Sequence, residues 1–270
     1  WRSEIFGHRT LTVPPRVIWK RLLEHEQKTT FEIRRGNVNL GHCRWTTTID
    51  TRPLEVPAGS AGAEVEGMAA ERMGYTVELE GTFNLEAGHK LRFDATLKLR
   101  SEREWERLVL KLSLRPQGRE GRAGTNPGDL TPRPQSWEVH AEADSGQIRL
   151  LTDGEAGRQE RIIRREDLQD PSRLLRQLAG PWGPWLPGLL ATMGFDLSMP
   201  SLSQAAGSLQ WEAWTDSFPL RNAQLSVYRI EGRFLDYAQA VLFVRRDGGE
   251  ILRVELPGDL VLVNSTLSPF

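Results

Sequence analysis

Few residues in this chain have the types and spacing that chemistry demands. His42-Cys43 is the most reactive-looking pair. Neighbours along a strand point to opposite faces, so these two cannot readily share a metal or a substrate. His8, His25, His89 and His140 show no helical metal spacing, and no zinc motif is present. Cys43 is the only cysteine, which excludes an intramolecular disulfide and any cysteine-rich metal site. It reads as an ordinary strand residue, because a reactive thiol would need a nearby base. Ser145-Gly146 and Gly207-Ser208 do not form a G-x-S-x-G elbow. Asp236 and Asp247 read as loop or turn residues. No G-x-x-x-x-G-K-[ST] loop and no Rossmann fingerprint occurs. No metal, cofactor or catalytic residue is therefore assigned. An enzyme would need a site assembled from residues distant in sequence.

Three basic pairs, Arg34-Arg35, Arg164-Arg165 and Arg245-Arg246, fit solvated strand ends. They are far apart, and the formal net charge is −1. A global electrostatic case for a nucleic-acid partner is absent. Of 35 basic residues only five are lysines, a bias read first as compositional.

The sharpest local anomaly is Pro181-Trp182-Gly183-Pro184-Trp185-Leu186-Pro187, followed by Leu189 and Leu190. Three prolines forbid a regular interior helix. One reading is a rigid connector whose tryptophans plug one end of a β-core. The other is a gate over an apolar cavity, or a patch touching membrane or a partner, formed by Trp182, Trp185, Leu186, Leu189 and Leu190. Tryptophan suits either role, with a large apolar body and one N–H donor.

The elements that must position these residues are legible from period-two alternation. Leu91, Phe93, Ala95, Leu97 and Leu99 alternate with Arg92, Asp94, Thr96 and Lys98. That puts one set on a core face and the other in water. Similar alternation covers 74–84 and 106–115. Strands are expected at 29–35 and 38–49, joined by a tight turn at Gly36-Asn37. Residues 137–143 and 147–151 form a further hairpin-like pair. More strands are expected near 208–217, 223–231, 234–245, 249–256 and 259–264. A short helix is expected over 16–27, with Val17, Ile18, Leu22 and Leu23 on one face. Trp45, Trp137, Trp211 and Trp214 are expected in the sheet core.

Loops are expected at 52–72, rich in Pro, Gly, Ala and Glu, and at 116–135, nearly devoid of apolar side chains. Asp170-Pro171 starts a helical insertion over 165–195. Serial antiparallel strands favour a meander or barrel over a βαβ fold. The expected fold class is mainly β: a strongly curved antiparallel sheet or partly open β-barrel, with short helices covering one end. A two-sheet sandwich is the structural alternative. The expected organisation is an N-terminal lead and short helix over 1–28, then a single β-domain over 29–270.

Two segments carry a resemblance. One is Phe31 to Trp45 (FEIRRGNVNLGHCRW), similar to a first hairpin with Gly before its second long strand. The other is Val241 to Pro257 (VLFVRRDGGEILRVELP), similar to a terminal strand–turn–strand ending in Leu-Pro. Together they resemble the DUF3108-like group of bacterial envelope β-barrels of unknown function. The 116–135 insertion departs from a compact member. The resemblance transfers no catalytic residue; it implies an envelope address, expected to be periplasmic, and an apolar ligand.

No run of 18 apolar residues occurs. Trp1-Arg2 suits the edge of a membrane segment, so a removed signal peptide or a tether ahead of Trp1 is one expectation; a trimmed cytosolic fragment is the other. The expected function is non-enzymatic binding of a lipid or acylated ligand in a β-cup, near a membrane surface. The alternative is a structural or accessory subunit of a membrane-associated assembly, with an envelope protein as partner.

Overall fold

The computed structural model describes residues 11–53, 70–85, 88–102, 104–116, 135–145, 147–154, 157–164, 210–220, 223–234 and 238–267. The fold is mostly β, with one α-helix among the described residues. The chain opens with α1 (Pro15–Glu24) and the long hairpin β1 (Gln27–Arg35) and β2 (Val38–Pro53). A meander follows: β3 (Ala70–Leu85), β4 (His89–Leu99), β5 (Trp105–Pro116), β6 (Gln135–Glu142), β7 (Gln147–Gly154) and β8 (Gly157–Arg164). The second meander is β9 (Gln210–Leu220), β10 (Ala223–Phe234), β11 (Ala238–Arg245), β12 (Ile251–Leu256) and β13 (Leu260–Asn264).

The thirteen strands among the described residues belong to one antiparallel sheet, in the order β8-β7-β6-β5-β4-β3-β2-β1-β13-β12-β11-β10-β9. The first strand pairs with the last, from Phe31↔Asn264 to Arg35↔Leu260. That pairing fuses two meanders into one sheet. β8 and β9 lie at opposite ends of the order, so the sheet does not close among the described residues. The register shifts between Ile33 and Arg34, Asp50 and Thr51, Lys98 and Leu99, and Phe243 and Val244. Bulges of this kind bend strands and increase twist, which coils a sheet too wide to stay flat.

The period-two pattern decides which face is dry. Phe31 and Ile33 of β1, Cys43 of β2, Phe83 of β3, Leu91 of β4 and Leu114 of β5 are buried on one face. Ile18 and Leu22 of α1 join the same cluster, with Ile230, Val244 and Ile251 from the second meander. We call this the core face. Helix α1 starts at Pro15, which suits a first turn that needs no N–H partner. It ends where His25 Nδ1 donates to the Arg21 carbonyl at 3.1 Å.

The segment before α1 is tied down too. Val13 N–H donates to Ala213 O, and Thr215 N–H donates to Leu11 O, both at 2.9 Å. Residues 11–13 thus pair with β9, and α1 straps the core face between β9 and the β1–β2 hairpin. Its seat is the turn between β11 and β12. There Gly249 is buried with φ 67°, and an added Cβ would lie 2.8 Å from Arg21 O. Gln27 Nε2 donates to Gly249 O at 3.0 Å.

Several expectations need correction. Val17 is exposed, because Ile18, Leu22 and Leu23 alone set the buried stripe. The helix stops at Glu24, and Gln27 already belongs to β1. The expected 52–72 loop is shorter at both ends, since β2 and β3 extend their ladder to Pro53↔Ala70. β8 was not expected: five of its described side chains in a row, Arg158 to Ile162, are exposed, so it shows no clean alternation. Trp211 is 38% exposed and not a core residue. Its ring lies over Gly232, with carbon atoms within 2.6 to 2.9 Å of where a Cβ would stand, and meets Trp19 edge-on at 6.4 Å. The expected helical insertion at 165–195 lies outside the described residues, as does nearly all of the 116–135 loop.

The seat of α1 can be tested by two glycines. Gly36→Ala meets open space at φ 55° and should cost only the left-handed strain, about 1–2 kcal/mol. Gly249→Ala adds a clash with the helix backbone and should cost a further ~1–3 kcal/mol. Urea unfolding midpoints at constant slope would measure both. Equal losses would mean that α1 does not rest on this turn.

Candidate functional site: an incompletely sealed apolar face and a polar groove behind it

The core face is not sealed evenly. Leu91, Leu114, Trp137 and Leu150 are buried. On the same face Leu97 and Leu99 of β4, Leu108 and Leu110 of β5, Val139 of β6 and Ile148 of β7 are only partly buried. Register places them as neighbours: Leu97 faces Leu108, and Leu110 faces Val139. At one end Trp105 faces Leu99 and is 41% exposed. This is a contiguous apolar surface across four strands, partly open to solvent.

The opposite face of the same strands is polar. It carries a cavity of about 440 Å³ between β4 and β8. Arg92, Ser113, Ser136, Asp153 and Arg158 form one cross-strand row along it. Asp94, Lys111 and Glu138 form the next row. Two short serine side chains on adjacent strands leave the gap between longer neighbours. A second cavity of about 330 Å³ shares Arg92 and extends over His42, Arg44, Glu80 and Thr82.

Some of these charges are already paired. Arg44 pairs with Glu80 across β2 and β3. Lys111 Nζ lies 3.3 Å, and His140 Nε2 3.0 Å, from Glu138 Oε1. Burial raises the Glu138 carboxyl, but the hydrogen bonds and charges of Lys111 and His140 outweigh it, and the net shift is downward. Such a group stabilises the fold above its unfolded value, and that contribution is lost as pH falls through its folded value.

A third feature lies beneath the outer face of β9–β11. Arg229 Nη2 sits 2.6 Å from Glu231 Oε1, and Arg229 Nη1 sits 3.8 Å from Asp216 Oδ2. Gln239 Nε2 donates to Glu231 Oε2, and Ser217 N–H donates to Asp216 Oδ1, both at 2.8 Å. The guanidinium stacks over Phe243 at 5.8 Å. Val227, Val241, Phe243 and Leu252 form the apolar cluster on this side. These contacts connect side chains of three neighbouring strands, and removing one partner would leave a buried charge uncompensated. Sequence reasoning missed them; the available signal was a charged pair at i and i+2 inside the apolar strand β10.

His42 and Cys43 fall on opposite faces, opposite Glu32 and Phe31 respectively. Cys43 is buried, and burial pushes its thiol up to about 12. Among the described residues no group of three metal-ligating side chains converges. Arg34 pairs with Glu32, while Arg245 lies 3.9 Å from Glu250 and Arg246 stacks on Tyr228 at 5.7 Å. Arg34, Arg245 and Arg246 are thus tied to neighbours, and Arg165 lies outside the described residues. Trp182, Trp185, Leu186, Leu189 and Leu190 lie outside the described residues, as do His8, Asp236 and Gly207-Ser208.

No family model matches the chain, and no curated protein does. A similar solved structure is the β-barrel-like protein of domain of unknown function DUF1849 from Brucella abortus. It is 9% identical, with 88% of this chain and 94% of that chain covered and a TM-score of 0.40. The match is to DUF1849 and not to the DUF3108-like group expected from the hairpins.

Two expected outcomes follow from the titrating groups. Cys43 in the folded protein should resist Ellman's reagent at pH 8 and release one equivalent only after denaturation. Rapid modification of native protein would contradict the buried, protonated thiol. Between pH 6 and pH 3 the parent should lose more stability than Glu138→Gln, because only the parent must protonate a depressed carboxylate. Parallel urea curves across that range would show superimposable pH profiles if the contacts to Lys111 and His140 carry no weight.

Proposed function

We propose that this protein is a non-enzymatic cup that binds a lipid or acylated ligand against the core face of β4–β7. The observation that carries the reading is the partly open leucine surface of Leu97, Leu99, Leu108 and Leu110. Soluble proteins rarely leave contiguous apolar area uncovered, and such patches mark ligand grooves or partner sites. The surface continues the apolar face sealed at Leu91, Leu114 and Trp137, so an acyl chain entering there would extend an existing core. Each methylene buried is worth roughly 0.8 kcal/mol, so a chain of ordinary length supplies ample driving force. The proposed location is the bacterial cell envelope, which rests on the family resemblance. The aromatic-proline segment at 181–190 is the proposed gate.

A second reading has its own observation. β8 ends the sheet order, and Ile162 on it is 52% exposed. An edge strand offers backbone donors and acceptors to a partner strand, as an accessory subunit of an assembly would use.

Native mass spectrometry of protein purified gently from its own membrane fraction separates the two. An added mass released as lipid on denaturation is the expected result. A defined complex with another polypeptide and no lipid would move the assignment to the subunit. For the cup, Leu97→Gln with Leu110→Gln should weaken binding of a fluorescent fatty acid about tenfold or more, at 1.4 kcal/mol per tenfold. Far-UV circular dichroism should stay unchanged. Unaltered probe affinity in that double variant would refute the location.

A further inference from the structure

The polar groove lies on the face opposite the leucine surface, so the proposed cup leaves it without a role. Along β4–β8 the register runs Arg92↔Ser113↔Ser136↔Asp153↔Arg158. On the next row Lys111 and Glu138 neutralise one another, with His140 beside them. Arg92, Arg158, Asp94, Asp153, Ser113 and Ser136 form no side-chain hydrogen bond or ion pair among the described residues. All six nevertheless line one cavity of about 440 Å³.

The groove therefore holds two unspent guanidinium groups, two unspent carboxylates and two free hydroxyls. A simple anion would meet the arginines and be repelled by Asp94 and Asp153. A simple cation would meet the opposite conflict. A ligand that carries both charges satisfies both sets. We propose that this groove binds a small zwitterion, with an oxyanion at one end and an ammonium at the other. Arg92 holds the oxyanion by the forked donor geometry that suits phosphate or carboxylate. Ser113 and Ser136, about 5 Å apart on neighbouring strands, donate to the same oxyanion. Asp94 stands two residues along β4 from Arg92, about 7 Å away on the same face, and accepts from the ammonium. Phosphoethanolamine has this chemistry, either as a free solute or as a lipid headgroup.

The test uses O-phosphoethanolamine with the intact protein at low salt, read by isothermal titration calorimetry. Inorganic phosphate and ethanolamine serve as half-ligands. The zwitterion should bind at least tenfold tighter than either half. Arg92→Gln and Asp94→Asn should each lose about tenfold without change in circular dichroism or in fatty-acid probe binding. Sedimentation with vesicles of phosphatidylethanolamine against phosphatidylglycerol identifies the source. Binding to the ethanolamine vesicles that Arg92→Gln abolishes means a headgroup, and binding of the free probe alone means a solute. Equal affinity for phosphate and the zwitterion, or affinity unchanged in both variants, would overturn the proposal. So would no binding of the free probe and none to the vesicles.

Discussion

Everything else in this structure depends on five backbone pairings between β1 and β13. They run from Phe31↔Asn264 to Arg35↔Leu260 and join the first described strand to the last. Without them β1–β8 and β9–β13 are two separate meanders, each with an open inner edge. Such a pairing is the least local contact the fold makes, so its loop-closure entropy must be repaid by burial nearby. The repayment is visible. Phe31 is 2% exposed and Ile33 4% exposed. Asn264, also buried, donates through Nδ2 to Glu250 Oε1 at 2.8 Å and to Ile251 O at 3.1 Å. Its Oδ1 accepts from Thr266 N–H at 3.0 Å and from the Thr266 hydroxyl at 2.8 Å. Helix α1 adds a second tie, since it reaches from the β9 edge, across the β11–β12 turn, to the start of β1.

That arrangement explains why the strands were readable and the sheet was not. A half-buried strand writes its faces into sequence every second residue, and β4 does so over its full length. Turns write themselves in glycine, as at Gly36-Asn37. Strand order leaves no such mark, because the β1–β13 ladder joins residues with no local relation. The same limit hid the Asp216–Arg229–Glu231 cluster. Each of its residues is unremarked in its own strand, and only the register of β9 and β10 brings Arg229 beside Asp216. β8 shows no alternation for a different reason: it ends the order of the described strands, and a strand in that position need not alternate.

The candidate site divides along similar lines. The apolar surface was readable in kind, since Leu97, Leu99, Leu108 and Leu110 stand out as alternating leucines. Its partial exposure was not, because exposure depends on what packs above a face, and sequence alternation reports only which face. The polar groove was not readable at all. Arg92, Ser113 and Ser136 are ordinary outer-face residues until three strands align them. Val17 and Trp211 show the converse error. An apolar side chain at a plausible position was assigned to the core, yet Val17 lies off the buried stripe of α1 and Trp211 is 38% exposed on β9.

A sheet one strand thick brings two chemistries close together without mixing them. At β5 the leucines at 108, 110, 112 and 114 point to one side, while Lys111 and Ser113 point to the other. An apolar ligand on the first side and a charged one on the second would be separated by little more than a backbone. Coupling between them needs no conformational relay, because a shift in β5 register or twist moves both linings at once. The bulge between Lys98 and Leu99 lies at one end of this shared wall, where ladder hydrogen bonding is already interrupted. A change of twist there would alter both linings together.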